Sequence, residues 1–581
     1  MSRYNEDLDN LIRVMDITDG ELEEIIREAD STLAGQNADG DQKIRALLKK
    51  AQALQKLNKH DESREYVDQI LKLKPEMPEA LVRRGNIYNK KKEHGEALED
   101  YSRAIELNPD DALAYHNRGI AYGRMGKHGK AVEDYSRAIE LQPDDAEAYY
   151  NRGTAYGRMG KHGKAVDDLS RAIGLKPDDA AAYYNRSLLF CREEKYDKAF
   201  QDEIKCFEYI QQSDARDVIA KTQWVVGVII KNSENLDFIW DYPEEALKKV
   251  PHFFPWIIAS FIKEGFIGKK YKKLVNAVFR LWKGCYDADS DEDGRPVILY
   301  QYTTMPALRA MFENRCLRLS PVSYLNDPNE GTTFFTCLKE SANTKELKAY
   351  LEKIQEKETG NRDIIFIRSF TGNEDKLVMW DSSYADNGRG VSVGVPAPLV
   401  DKGRGTPEPI SLMINAGTAK PDDEEEAGQP IPLELLGLFK IRYNRDSVGE
   451  IAGCLEEFKR ADFKDETLVE LLARLFVPVA ALIKGEEYRH ENEYRLVCIT
   501  SWKEAAFRKY IKQTEEDGVY IETEAILFQE PDEEDDGPEE EYVEVYMGPK
   551  VDKITWLKWR DRFRYKYAAV KNVQQSKIEW R

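Results

Sequence analysis

A pattern of small, aromatic and polar residues repeats every 34 residues along the first part of the chain. Two neighbouring copies read AYHNRGIAYGRMGKHGKAVEDYSRAIELQPDD and AYYNRGTAYGRMGKHGKAVDDLSRAIGLKPDD. A proline closes each copy, at Pro75, Pro109, Pro143 and Pro177. Because proline cannot continue a helix, these positions mark helix ends. The pattern predicts two helices in each copy.

The copy that begins at Ala112 shows how its two helices can pack together. Gly119 and Ala131 are small where the paired helices must approach closely, and Tyr122 and Tyr135 fill the space between them. The period and these residues resemble the tetratricopeptide repeat. The resemblance implies an α-helical solenoid, which stacks such pairs one on the next.

The repeat pattern sets the predicted boundaries of the first half. About five units fill residues 41–214, and the first and last, Lys43–Pro75 and Ala180–Asp214, are degenerate as end units usually are. Thr18-Asp-Gly-Glu21 has the form of a capping box before an amphipathic helix. Residues 1–40 are therefore predicted to be a helical cap.

The resemblance also implies a peptide-binding groove on the concave face, which the first helix of each unit lines. Asn117, Asn151 and Asn185 recur at one position of that helix, and Arg124 and Arg158 at another. These side chains suit the backbone or carboxylates of an extended peptide, which predicts a protein or peptide partner. The alternative is that they serve the stack itself. The lysines of the family's carboxylate clamp are replaced by Leu48 and Glu147, so that specificity is not expected.

Residues 215–296 connect the repeats to the second half. Apolar segments such as Phe253–Ile262 predict an α-helical bridge over 215–286. The following acidic stretch opens like an EF-hand calcium loop, Asp289-Ser-Asp-Glu-Asp-Gly294, but Tyr300 stands where the loop needs its bidentate glutamate. We therefore expect an acidic linker over 287–296, and no metal site.

Residues 297–581 are predicted to form an α+β domain. A helix is also expected over Thr555–Val573, from apolar residues at three-four spacing. Neither a phosphate-binding loop nor a dinucleotide fingerprint occurs, so a kinase or Rossmann enzyme is not supported. The strands are expected near Val297–Thr304, Cys316–Ser320, Asp363–Phe370, Gly390–Val395, Phe439–Tyr443, Tyr494–Ile499 and Val543–Met547, and the helices near Met305–Asn314, Glu346–Lys357 and Lys464–Ile483.

A series of motifs in this domain resembles the bacterial domain-of-unknown-function family 2971. LYQYTT, NDPNE, HENEYRLV and VEVYMGPKVDKI follow one another in the order of that family, over about Leu299–Ile554. The family name implies no activity. A further resemblance, to ADP-ribosyltransferases of the DarT type, rests on an aromatic-x-x-Thr strand and a late glutamate at the start of a strand.

The ADP-ribosyltransferase resemblance implies roles for particular residues and NAD as the substrate. Gln301 stands where the family has histidine, Thr303 on its threonine, and Glu493, within Glu491-Asn-Glu493, on its catalytic glutamate. A carboxylate beside the ribose stabilises the oxocarbenium-like centre that forms when the nicotinamide bond breaks. No metal is required. The catalytic residues would be Glu493, Glu491 and Gln301, and the NAD-binding residues Tyr300, Thr303, Arg318, Trp380, Tyr384 and Arg495.

Each of these residues also has a structural interpretation. Glu493 and Arg495 alternate on one strand and could form a surface ion pair. Trp380 and Tyr384 are four residues apart and could belong to the core. Asp327, in the Asn-Asp-Pro sequence, is a natural turn residue.

Composition and charge exclude several classes of protein and of binding site. The net charge is −20, but nineteen of the 106 acidic residues lie in Asp287–Asp293, Asp422–Glu426 and Glu530–Glu541, and the other 87 match the 86 basic residues. A general nucleic-acid coat needs a basic surface and is not expected. The longest apolar run, Phe253–Ile262, is too short to cross a bilayer, and the scattered cysteines fit a reducing cytoplasm. His490 is the one histidine of the C-terminal domain, so a multi-histidine metal site is excluded there.

Three functions stay open from the sequence. The first joins a protein-binding repeat scaffold to an effector that transfers ADP-ribose to a protein or nucleic acid, or hydrolyses NAD; by analogy such fusions suit bacterial toxins and anti-phage defence. The second is a non-enzymatic scaffold whose C-terminal domain binds a nucleotide or peptide. The third is a nuclease-like effector that uses Asp327, Glu330 and Glu493 with magnesium.

Overall fold

The computed structural model describes most of the chain up to residue 286 and separate segments beyond it. The described residues are 19–34, 39–210, 215–250, 252–286, 298–303, 316–321, 332–359, 365–371, 391–396, 435–442, 448–459, 461–484, 488–489, 493–499, 512–514, 518–524, 543–547 and 570–575. They fall into two compact units, Met1–Glu193 and Glu194–Arg581.

The first unit is built from helices, which follow one another with short turns between them. From α2 to α9 the helices form four pairs, as the 34-residue period predicts, and this helical solenoid is confirmed. The described helices are α1 Asp19–Ala34, α2 Gly40–Lys56, α3 His60–Leu73, α4 Pro78–Lys90, α5 His94–Leu107, α6 Ala112–Arg124, α7 His128–Leu141, α8 Ala146–Arg158, α9 His162–Leu175 and α10 Ala180–Arg192.

The helix ends of this unit follow directly from the repeated residues. Asp111, Asp145 and Asp179 precede the first helices α6, α8 and α10, and each side chain accepts hydrogen bonds from backbone N–H groups of the first turn. After α6 and α8 the chain turns at Gly126 and Gly160, with φ of 70° and 72°. Glycine adopts this left-handed conformation without steric cost, so each first helix ends there.

The small residues of the repeats lie where the sequence predicts close approach. A Cβ atom on Gly119 would lie 2.7 Å from Cε1 of Tyr135, and one on Gly85 would lie 2.6 Å from Cε1 of Tyr101. Both tyrosine rings are buried between the helices of their pair. The predicted role of Gly119 is confirmed, because nothing larger than hydrogen fits against the ring.

The second unit contains helices and strands. Its helices in the described segments are α11 Tyr196–Tyr209, α12 Ala215–Asn232, α13 Glu244–Leu247, α14 Phe253–Lys263, α15 Lys269–Tyr286, α16 Thr332–Ser341, α17 Lys345–Thr359, α18 Gly449–Glu456 and α19 Glu466–Ala480. Its strands there are β1 Ile298–Thr303, β2 Cys316–Pro321, β3 Ile365–Thr371, β4 Val391–Pro396, β5 Leu435–Lys440, β6 Glu493–Ile499, β7 Lys512–Thr514, β8 Gly518–Glu524, β9 Val543–Met547 and β10 Val570–Gln575.

The ten described strands form one hydrogen-bonded sheet. The main path runs β10-β9-β4-β1-β3-β2-β8-β7, and β6 pairs with β3 and β5. One edge of β3 pairs with β6 along its length, while the other edge contacts β1 near Thr371 and β2 near Ile367. All these pairs are antiparallel except β9 with β10. The central position of β3 therefore brings β1 and β6 within two strands of each other.

The predicted bridge packs on the C-terminal part of its own unit. Trp282 of α15 lies 5.2 Å from Phe254 of α14 and 5.7 Å from Phe439 of β5, measured between ring centroids. Helix α15 also contacts α18 and α19. At its surface, Lys273 pairs with Glu457 at 2.6 Å. Aromatic packing and ion pairing together join residues 253–286 to the sheet.

The structure also changes some expected elements. The helix predicted over Thr555–Val573 is wrong at its end, because residues from Val570 onward form β10 and pair in parallel with β9. Pairing with a neighbouring strand overrides local helical spacing there, and valine favours a strand. Strands β7 and β8 were not predicted, although the alternation in GVYIETE was a signal. The predicted helix Met305–Asn314 and the three acidic stretches lie outside the described residues.

No helix in the described parts of the chain is long and apolar enough to span a membrane.

Candidate functional site

The first helices of the repeats line the inner face of the first unit. Successive first helices, α4, α6, α8 and α10, contact one another, and α4, α6 and α8 also contact their own second helices. Elements on the inside of a curved helical stack are the ones that come closest together. The predicted peptide-binding residues lie on these helices.

Asparagine side chains connect one first helix to the next. Asn185 Nδ2 donates to the hydroxyl of Tyr150 at 2.7 Å, and Asn151 Nδ2 lies 3.2 Å from His116 Nε2. Each contact spans 35 residues and joins neighbouring repeats. The residue 35 positions before Asn117, where the other two asparagines have their partners, is Val82, which has no polar side chain. Asn151 and Asn185 thus hold the stack together, and all three asparagines are half-buried on the inner face.

His116 extends this inner polar row. Its Nδ1 lies 3.2 Å from Asp145 Oδ2, and its ring meets the Tyr135 ring edge-on with centroids 5.8 Å apart. Burial raises the pKa of Asp145, but the hydrogen bonds from His116 and from the Ala148 backbone outweigh it and hold that pKa below its usual range. Asp145 therefore stays ionised while it caps α8 and orients His116.

The predicted arginines lie at the ends of their helices and are exposed. Arg124 Nη1 donates to the backbone oxygen of Asn89 at 3.0 Å, which bridges two repeats. Arg158 occupies the same position one repeat later. Both guanidinium groups therefore lie at the rim of the inner face, where a ligand carboxylate could reach them.

A series of Arg–Asp ion pairs was missed by the sequence analysis. In each pair the arginine of the first helix donates two hydrogen bonds, of 2.7 and 2.8 Å, to an aspartate 16 residues later on the second helix. The pairs are Arg84–Asp100, Arg118–Asp134 and Arg152–Asp168. The signal was available, because both residues recur with the 34-residue period.

These ion pairs fix the two helices of a repeat in one orientation. The Asp134 side chain is only 7% exposed, and its hydrogen bonds raise the pKa of Arg118. Arg118 Nη1 also donates to Ser102 Oγ of the preceding repeat at 3.2 Å. A planar, bidentate contact restricts the relative orientation of the two helices more than a single point charge does. The first helices that line the inner face are therefore held rigidly against their second helices.

Comparison with protein families identifies the paired helices of the first unit. Family models described as tetratricopeptide repeats match residues 44–77 and 146–179, and one described as TPR repeat matches 85–126 and 124–160. These helical pairs are tetratricopeptide repeats. The matches lie in the first unit, and they support a protein-binding scaffold there.

Several solved structures are similar to the repeat region. The crystal structure of MamA is 26% identical and covers 27% of this chain and 93% of its own, with a TM-score of 0.26. MamA 41-end from Desulfovibrio magneticus RS-1 is 18% identical, with coverages of 30% and 97% and a TM-score of 0.28. YrrB, whose title describes a TPR protein with an unusual peptide-binding site, is 20% identical, with coverages of 30% and 88% and a TM-score of 0.26. Scores at this level carry no argument about function. A comparison with curated proteins gave no match.

The predicted catalytic glutamate of the second unit lies in a buried ionic cluster. Arg495 Nε donates to Glu493 Oε1 at 2.8 Å, and Arg495 Nη2 to Oε2 at 3.2 Å. Lys484 Nζ pairs with Glu493 Oε2 at 2.8 Å. Glu493 is 5% exposed and Arg495 1% exposed, so the interpretation as a surface pair is wrong. Residues two apart on β6 point to the same face, and here that face is covered.

The charges around Glu493 keep its carboxylate ionised. Burial raises the pKa of Glu493, but the positive charges of Arg495 and Lys484 outweigh it and lower the pKa to about 2. Lys484 was not predicted. It follows Ile483, which forms a parallel bridge with Arg442, and its backbone N–H donates to Arg442 O at 3.1 Å. This contact after α19 brings the lysine to β6.

Strand register relates Glu493 to the predicted NAD-binding strand. Tyr300 of β1 is paired with Thr371 of β3, and Thr371 is paired with Glu493 of β6. Neighbouring strands are about 4.8 Å apart, so the Cα atoms of Tyr300 and Glu493 are about 10 Å apart. Gln301 and Thr303 follow on β1, opposite Val393 and Val391 of β4.

Arg318 is the other predicted NAD-binding residue that the structure describes. Arg318 of β2 is paired in register with Glu522 of β8. Within the segments that the structure describes, no three His, Cys, Asp or Glu side chains are grouped as a metal site requires. Trp380, Tyr384, Glu491, His490, Asp327 and Glu330 lie outside the described residues.

Proposed function

We propose that the protein is a scaffold whose tetratricopeptide repeats hold an extended peptide on the face lined by their first helices. The observation that carries the proposal is the polar row of that face. Asn151 and Asn185 are already oriented by His116 and Tyr150. Side chains that are held in place before binding lose little conformational entropy when a ligand binds, so they bind the ligand more tightly.

The spacing of the row suits an extended chain. Packed helices are about 8–10 Å apart, and an extended peptide rises about 3.3 Å per residue, so the row meets the peptide about every third residue. An asparagine side chain has a carbonyl oxygen and an amide group, which match the N–H and C=O groups of a peptide backbone. Arg124 and Arg158 add charge for a carboxylate at the rim.

The test selects ligands for the full chain from phage-displayed random peptides of about 12 residues, a length that spans about four repeats at the spacing above. Binding of the selected peptides is then measured with an Asn117→Ala/Arg158→Ala variant. The control is Glu133→Ala/Arg171→Ala, which changes exposed residues of second helices. We expect the inner-face variant to lose on the order of tenfold or more in affinity, and the control to keep it. Selection of no peptide, or equal binding by all variants, would count against the proposal.

We further propose that residues 297–581 form an α+β domain that uses NAD, transferring ADP-ribose to a protein or nucleic acid or hydrolysing NAD. Two observations support it. The register brings Tyr300 of β1 within about 10 Å of Glu493. The low pKa of Glu493 keeps a negative charge available for a developing oxocarbenium centre.

Catalysis by Glu493 requires one exchange of partners. Both carboxylate oxygens are engaged by Arg495 and Lys484. A ribose 2′-hydroxyl would have to replace one of these donors, such as Lys484 at Oε2. Glu491, Gln301 and the residues predicted to bind NAD complete this proposal.

The NAD proposal is tested with labelled NAD and cell extract. Wild type should release nicotinamide or transfer label, and Glu493→Gln should lose on the order of 100-fold or more in rate. Glu352→Gln, on the exposed side of α17, is the matched control. Thermal melting of each variant separates lost chemistry from lost folding. Turnover that survives in a folded Glu493→Gln protein removes Glu493 from catalysis.

The same preparation separates the two alternatives. Magnesium-dependent cleavage of added nucleic acid would favour the nuclease-like effector with Asp327, Glu330 and Glu493. Absence of both activities, together with peptide binding by the repeats, would favour a non-enzymatic scaffold whose C-terminal domain binds a nucleotide or peptide.

A further inference from the structure

The turns inside the repeats form a basic edge of the first unit. Each joins a first helix to its second helix, and each carries exposed lysines. We call the following residues the basic edge: Lys90, Lys91, Lys92, Lys127, Lys130, Lys161 and Lys164. Lys91 is paired with Asp61 at 2.6 Å. Among the described residues, no carboxylate lies within ion-pair distance of the four lysines from 127 to 164. Lys130 lies over the Tyr122 ring at 5.4 Å, and Lys161 and Lys164 lie over the Tyr156 ring at 6.0 and 5.5 Å, measured from Nζ to the ring centroid. These side chains are exposed, and their positive charge is not neutralised by a carboxylate of the described residues.

The two kinds of turn differ in the residues that precede the helices. The second helices α5, α7 and α9 are 14 residues long and begin at these turns. Their N-cap residues, Glu93, Lys127 and Lys161, make no capping side-chain hydrogen bond. The first helices begin instead at the turns between repeats, where aspartates cap them. The negative ends of the first helices meet the positive ends of the second helices at these turns, so the lysines themselves supply the charge of the basic edge, while aspartates make the turns between repeats acidic.

Exposed methionines lie among the lysines. Met125 is 39% exposed and Met159 36% exposed, and both belong to the turns of the basic edge. Methionine adapts to many apolar partners, and it is frequent on surfaces that bind varied peptides. A phosphate backbone offers no apolar group that could pack on these methionines. The mixture of charge and methionine favours a peptide.

We propose that the basic edge docks an acidic peptide segment of a partner protein. Aspartate and glutamate side chains of the segment contact Lys127, Lys130, Lys161 and Lys164, and apolar side chains between them contact Met125 and Met159. This surface is separate from the inner face lined by the first helices, so the docking goes beyond the proposed groove function.

The test uses a fluorescent peptide of about 12 residues, mostly glutamate with two leucines, and the full chain; at about 3.3 Å per residue such a peptide reaches across successive turns. Binding is followed by anisotropy for wild type and for the edge variant Lys127→Glu/Lys130→Glu/Lys161→Glu/Lys164→Glu. The control variant is Lys43→Glu/Arg45→Glu/Lys72→Glu/Lys74→Glu, whose four positions are also exposed. We expect the edge variant to lose at least about tenfold in affinity, the control to change by less than about twofold, and salt to weaken binding.

Two further measurements decide the partner class. Met125→Ser/Met159→Ser should weaken the peptide several-fold and leave a single-stranded oligonucleotide of equal charge unaffected. The inner-face variant Asn117→Ala, which leaves Arg158 beside Met159 in place, should bind the acidic peptide as wild type does, which separates this docking from the groove. Tighter binding of the oligonucleotide, equal loss in both charge-reversal variants, or loss in the inner-face variant would overturn the proposal.

Discussion

Replacing Gly119 by alanine tests the close approach of the two helices in a repeat. The new Cβ would lie 2.7 Å from Cε1 and 2.9 Å from Cδ1 of Tyr135, whereas unstrained carbon atoms stay about 3.5 Å apart or more. Tyr135 is 3% exposed and its ring also contacts His116, so it has no open space to enter. The helices must move apart.

The expected cost follows from two opposing contributions. Overpacking in a tight core costs about 1–3 kcal/mol, and an immobile ring places Gly119→Ala near the upper value. Alanine in a helix gains about 1 kcal/mol over glycine. The net loss is about 2 kcal/mol, which raises the local opening equilibrium about 30-fold.

Native-state hydrogen exchange over residues 112–141 measures this loss in the full chain. Gly129→Ala is the control, because nothing lies within 4 Å of its new Cβ, and it should be neutral or slightly stabilising. Gly153→Ala should cost less than Gly119→Ala, since its nearest atom is Cγ of Leu169 at 3.1 Å. If amides of the Gly119→Ala protein exchange as slowly as those of wild type, the close-packing reasoning is refuted.

Three other perturbations follow from buried polar groups. Asp134→Asn should cost about 2 kcal/mol, because half-buried Arg118 loses its charged partner, and faster exchange of α6 and α7 would show it. Burial lowers the pKa of His252 to about 3, below its ordinary 6.5, so the folded state resists protonation. Stability is then lost as pH falls from about 6.5 to about 3, by about 1.4 kcal/mol per unit, and His252→Leu should reduce that loss in thermal melts. Glu493 also has a lowered pKa, so the stability that its ionised form contributes is present above about pH 4.5 and is lost as the pH falls towards 2. Thermal melts of Glu493→Gln should lack this loss of stability at low pH. An unchanged pH dependence in that variant would contradict the ionic cluster.

The repeats were predictable because their information is local and recurrent. Each 34-residue copy contains its helix terminators and its small residues, so the pairs and the role of Gly119 could be predicted from one copy. The Arg118–Asp134 contact was missed for a different reason. Charged residues on amphipathic helices are usually solvated, and only the crossing of the two helices shows that these two face each other.

The second unit was less predictable, because its contacts join distant segments. Sequence spacing places Glu493 and Arg495 on one face of a strand, but nothing local shows whether that face is covered. Lys484 joins them through the bridge between Ile483 and Arg442, about 40 residues apart in the chain. In the same way, pairing with β9 makes Val570 part of a strand where spacing predicted a helix.

Residue order alone was therefore enough for the tetratricopeptide repeats, since helix periodicity, turns and small residues act within one unit. The folded chain was needed for the buried charge cluster around Glu493 and for the opposite charges of the two repeat edges. Burial and long-range pairing set the pKa and the partners of a side chain, and both depend on segments that are far apart in sequence.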